Sequence, residues 1–127
     1  MELLILVVVL VIAAVVFLLA FSSAKVGARD QRRVIDVTQI QKALTVYFQE
    51  NGYYPYSTGD HPPSGITAYL DTWPTAPAAD GRCSASQNTY LYTQRNQGDD
   101  YSLTFCFGRR TAGLSAGPHT LNSQGLQ

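Results

Sequence analysis

From Leu3 to Phe21 the chain runs nineteen residues without one polar side chain, and a single carboxylate, Glu2, stands at its mouth. As a helix this run is about 28 Å long, close to the ~30 Å hydrocarbon thickness of a bilayer. An aqueous core has no place for such a segment, so residues 22–127 must supply the folded unit. A cleaved secretory signal is the obvious competitor, because Ser22-Ser23-Ala24 offers small residues for processing. It fits poorly: the run exceeds the usual ~7–15 residues, and no basic segment precedes it.

The two cysteines, Cys83 and Cys106, lie far outside the run. They are either two buried thiols or one disulfide, and their spacing matches no CxxC redox or zinc pattern. For a small domain on a membrane segment the disulfide is the expected state, with an extracytoplasmic location. The flanking charges point the other way. Lys25, Arg29, Arg32 and Arg33 follow the run, which by the positive-inside rule would keep residues 22–127 in the cytoplasm. A basic leader ahead of Met1 would resolve the conflict. Net charge is zero, so nothing suggests a nucleic-acid partner.

Beyond Val34 the pattern becomes amphipathic. Val37, Ile40, Leu44 and Tyr47 fall at i, i+3, i+7 and i+10, while Asp36, Gln39, Gln41 and Lys42 lie elsewhere on the circumference. Asn51-Gly52 supplies a stop and Pro55 forbids continuation. The spacing predicts one helix over residues 2–51, with Gly27 as a place where it can bend. Four regions follow: an apolar helix (1–24), its amphipathic continuation (25–52), a long loop region (53–88), and a sheet with a C-terminal tail (89–127).

The loop region is proline-bearing and polar, with a short helical turn expected at 66–70. Its aromatics Tyr53, Tyr54, Tyr56, Tyr69 and Trp73 are expected to pin it to helix and sheet. "TYLYTQR" (89–95) and "YSLTFCF" (101–107) read as strands joined by an "NQGDD" turn, with "HTLN" a candidate third strand. In the second strand Tyr101, Leu103, Phe105 and Phe107 share the face expected to cover the helix. Ser102, Thr104 and Cys106 share the other. The fold class is therefore α+β: a long N-terminal helix packed on a small antiparallel sheet.

The early glutamate in "MELLILVVVL", the continuation "IQKALTVYFQENGYYP" and the strand "DDYSLTFCF" together resemble the type IV pilins and their pseudopilin relatives. The resemblance covers the first 55 residues closely and the remainder loosely. It implies a short basic leader removed by a prepilin peptidase, methylation of the new N-terminus, and insertion in the inner membrane before assembly. Identical subunits, handled by the pilus assembly machinery, then stack into a helical surface filament with their heads outward. Leu3, Leu4, Val8, Val11, Val15 and Leu18 would line the filament core. Glu2 would pair with the N-terminal ammonium of a neighbouring subunit; the plain alternative places it among lipid headgroups. Family members usually carry several residues before this glutamate, whereas only Met1 precedes it here; either a few residues are missing ahead of Met1 or this N-terminus is unusual for the family. Many also have glycine or proline in the first half of the helix. Leu3–Phe21 has neither, so less unwinding in a filament is expected.

No catalytic, cofactor or metal site emerges. His61 and His119 are far apart. No serine sits in a GxSxG context. Asp99 and Asp100 do not form an EF-hand loop and read as a solvated hairpin tip. Arg109-Arg110 reads as an ordinary surface pair. The expected function is a major pilin, a structural filament subunit and not an enzyme. The alternatives are a pseudopilin of a secretion or DNA-uptake apparatus and, in another class, a bitopic membrane protein with a small ligand-binding domain.

Overall fold

The computed structural model describes residues 1–57 and 62–126; His61 lies outside them. One helix, α1 (Glu2–Asn51), runs uninterrupted through Gly27 and, at about 75 Å, is by far the longest element. It stops where Gly52 adopts the left-handed conformation (φ 78°) and its N–H bonds to Phe48 O at 2.8 Å. That geometry satisfies an orphan carbonyl at little cost only for glycine. After a 3₁₀ turn at Ile66–Ala68, four strands follow: β1 (Leu91–Arg95), β2 (Asp100–Phe107), β3 (Gly117–Asn122) and β4 (Gly125–Leu126). They form an antiparallel sheet in the order β1-β2-β3-β4.

The sheet's inner face is set by register. Tyr92 of β1 and Leu121 of β3 both stand opposite Leu103 of β2, and Leu126 stands opposite Leu121. Together with Tyr101, Phe105 and Phe107 this face covers Val37, Ile40, Ala43 and Leu44 of α1. Ile40, Leu44 and Leu103 have no exposed surface, and Tyr47 packs at the edge of the cluster. Burial of this apolar set is the main force holding head to helix.

Cys83 and Cys106, 23 positions apart in the sequence, are joined in a disulfide. Cys106 lies on the face of β2 opposite Tyr101, Leu103, Phe105 and Phe107, so the bond ties the loop region to the sheet's outer side. Replacing both cysteines with serine is expected to remove about 3 kcal/mol. A thermal melt of the full chain in detergent should then fall by roughly 15 °C.

Several details differ from the reading of the sequence. β1 begins at Leu91 rather than Thr89, because the chain at Arg82–Cys83, tied to Gly108 O and Cys106, takes over at that end of β2. The turn between β1 and β2 contains a 3₁₀ segment, Asn96–Gly98, with Asn96 and Gln97 at positive φ. Asp99 is exposed, and Asp100, partly exposed, begins β2: its Oδ1 accepts the Ser123 hydroxyl (2.6 Å) and amide (3.1 Å), which hold its carboxyl below the usual range. It thereby fixes the turn into β4, a strand too short to announce itself in the sequence. Tyr54 is buried between Phe48 and Tyr101, and Trp73 meets Tyr92 edge-on. The Tyr56 ring is 64 % exposed, and its backbone carbonyl accepts Ser64 N–H.

Candidate functional site

Two halves of one helix meet two environments. From Glu2 to Phe21 every residue of α1 is exposed, and Leu3, Leu4, Val8, Val11, Val15 and Leu18 touch no part of the head. Mean hydropathy reaches 3.6 over an 18-residue window of which nothing is buried, which separates this segment from the core helix of a soluble domain. The helix is long and apolar enough to anchor the chain in a membrane. Glu2 occupies its first turn, where a carboxylate is favoured by the helix dipole.

The packed half begins at Val26, and its first two turns are polar rather than apolar. Gly27, Asp30, Arg33 and Asp36 are all buried. Asp30 accepts four hydrogen bonds: Arg33 Nη1 at 2.7 Å, Gly108 N at 2.8 Å, and Arg109 N and Thr111 Oγ1 each at 3.0 Å. Burial by itself raises its pKa. The amides of Gly108 and Arg109, then Arg33 and Thr111, outweigh that and hold the carboxyl below the usual range. Arg33, only 1 % exposed, also reaches Asp80 Oδ1 (3.1 Å), Ala78 O (2.9 Å) and Asn88 Oδ1 (3.0 Å). Arg29 pairs with the other oxygen of Asp80 at 2.9 Å.

Asp36 is a correction. It does not sit on the open circumference of the helix but is wholly buried, because the chain leading into β1 wraps that side. Its Oδ2 accepts the Tyr90 hydroxyl at 2.9 Å, and its Oδ1 lies 3.0 Å from Arg32 Nε in an ion-pair contact. Burial and then the bond to Asp36 keep the Tyr90 phenol protonated far above its ordinary range.

The site thus joins a bare apolar rod to a head locked on by a polar knot. Arg109, read from the sequence as an ordinary surface residue, lies with its guanidinium directly over Gly27, where any Cβ would collide with it, and donates to Ser23 O and Oγ at 3.4 Å. The knot was missed, yet a signal for it exists. The spacing of Val37, Ile40 and Leu44, continued backwards by three and four, lands on Arg33, Asp30 and Gly27.

Other arrangements have little chemistry to offer. Among the described residues no three His, Cys, Asp or Glu side chains converge as metal ligands would. His119 bonds to Ser115 O and rests against Phe105 and Phe107. An open groove of about 670 Å³ lies between α1 (Gln39, Lys42, Ala43, Val46) and the segment 68–72. Comparison of the chain with family models, curated proteins and solved structures returns no match.

Proposed function

We propose that this chain is a structural subunit of a type IV filament, a major pilin, and that it performs no catalysis. The observation that carries the reading is the division of α1. An apolar half exposed on every side continues without a break into a half that bears its own disulfide-stapled head. Such a subunit rests in a bilayer while single, because lipid covers the apolar half. It leaves the bilayer when other apolar helices replace the lipid around that half. The polar knot keeps the head fixed to the rod, so that stacking rods sets the positions of the heads.

Cryo-electron microscopy of filaments sheared from cells tests this. The expected map has Leu3–Phe21 at the filament axis as continuous helix, with heads outside. Non-helical backbone between Val11 and Ala20 would refute the fully helical packing. A chain that stays monomeric in micelles and never polymerises would overturn the filament reading in favour of an anchored binding domain. Short fibres that depend on a secretion apparatus would instead make it a pseudopilin.

A further inference from the structure

We infer that the end of the head nearest the apolar run is a docking surface for anionic phospholipid headgroups. Of the nine Lys and Arg residues, all but Lys42 and Arg95 lie in three short stretches, 25–33, 82 and 109–110. The structure gathers these at one end of the head: Arg82 N bonds to Gly108 O, and Arg109 packs on Gly27.

The carboxylates at this end are Asp30, Asp36 and Asp80, and all three point inward. Asp30 and Asp36 are fully buried, the Asp80 side chain is 10 % exposed, and each is consumed by bonds within the head. They neutralise Arg29, Arg32 and Arg33. Lys25, Arg82, Arg109 and Arg110 are exposed and enter no ion pair with a carboxylate among the described residues. The acids are turned in and the spare cations are left outside, so the outer surface of this end carries a net positive charge.

Its depth matches the lipid. Lys25 stands about 6 Å along the helix from Phe21, within a headgroup layer roughly 5–7 Å deep; Gly27, at about 9 Å, stands just outside it. Lys25 Nζ sits 4.6 Å from the centre of the Phe21 ring, bridging the last apolar side chain and the polar layer. Arg109 is held at the same level by Ser23 and by the bare Cα of Gly27. The surface is thus continuous with the membrane-anchoring segment, and its charge complements phosphate. A second copy reaches this surface only on assembly, whereas the lipid is fixed at this height before it.

The inference rests on the anchoring of the helix, not on polymerisation, and its test needs no filament. The full chain is placed in nanodiscs of equal phosphatidylglycerol and phosphatidylcholine, and native mass spectrometry counts the lipids retained on release. Each cation at the surface is expected to favour the anionic lipid by roughly fivefold. Phosphatidylglycerol should therefore be enriched at least about tenfold. The enrichment should fall at least severalfold in K25Q/R109Q/R110Q, which leaves Arg82 in place, and persist in K42Q/R95Q. It should also fall severalfold for the unmodified chain between roughly 0.05 M and 0.5 M salt, a check that needs no substitution. Equal retention of the two lipids, or an enrichment indifferent to both salt and K25Q/R109Q/R110Q, overturns the inference. So does equal retention with loss of self-association in the variant, which would assign the cations to a neighbouring copy.

Discussion

Replacing Asp30 with alanine is expected to destabilise the head by about 3–5 kcal/mol, a large part of the ~5–15 kcal/mol that holds a domain of this size together. The carboxylate accepts four hydrogen bonds, from Arg33, Gly108, Arg109 and Thr111. Its removal leaves the Gly108 and Arg109 amides without an acceptor, while Thr111 Oγ1 keeps only Arg109 O. The Arg33 charge retains Asp80 but loses its nearest partner. A thermal melt of the full chain in detergent should drop by roughly 15 °C or more. Adding Arg33→Met to Asp30→Ala should recover only part of the loss. That change removes the under-compensated charge, but Gly108 N and Arg109 N remain unpaired. A full recovery would mean that the charge pair alone mattered and that the backbone bonds contribute little.

The same residue sets an acid limit. Because the folded-state pKa of Asp30 lies below its unfolded value, its contribution is complete above the unfolded pKa of about 3.9. It is lost as pH falls through the folded value. The head should therefore lose stability below roughly pH 4, and the Asp30→Ala chain should lose less over the same interval. Equal acid sensitivity in both would shift the effect onto another group, with Asp100 the next to consider because its carboxyl is also held low.

The parts of the fold that could be read in advance are those encoded by a local period. Nineteen apolar residues, a 3–4 spacing through Leu44 and an Asn-Gly stop define α1, and strict alternation from Tyr101 to Phe107 defines the inner face of β2. The polar knot escaped because buried charge looks like solvated charge until its partners are known. Those partners lie 47 to 81 residues away, at Asp80, Gly108, Arg109 and Thr111. The four basic residues after Phe21 illustrate the point. Counted as one flank they argue about topology; in the structure Arg29, Arg32 and Arg33 are tied to acids, while Lys25 is left facing outward. β4 was invisible for a different reason: two residues held by a carboxylate on another strand carry no period at all.

Glu2→Ala is expected to leave membrane insertion intact and to cut filament yield by at least about tenfold, equivalent to the loss of ~1.4 kcal/mol or more for each subunit added. The direction separates the two roles open to this residue. A carboxylate at the bilayer edge keeps its water and costs little, whereas one carried among packed apolar helices costs several kcal/mol unless an opposite charge meets it. If Glu2 were merely tolerated, alanine would be the better residue in an apolar bundle, and the variant would assemble at least as well as the parent. If Glu2 pairs with the N-terminal ammonium of a neighbouring copy, alanine strands that ammonium in the same apolar surroundings, and assembly fails although the side chain is now more apolar. Glu2→Gln sharpens the distinction, since it keeps size and hydrogen-bonding capacity and removes only the charge. Electron microscopy of sheared material should show it nearly as deficient as Glu2→Ala, while membrane fractionation shows both variants inserted like the parent. Normal filaments from either variant would end the pairing role and leave Glu2 as a headgroup-level carboxylate at the start of an otherwise apolar helix.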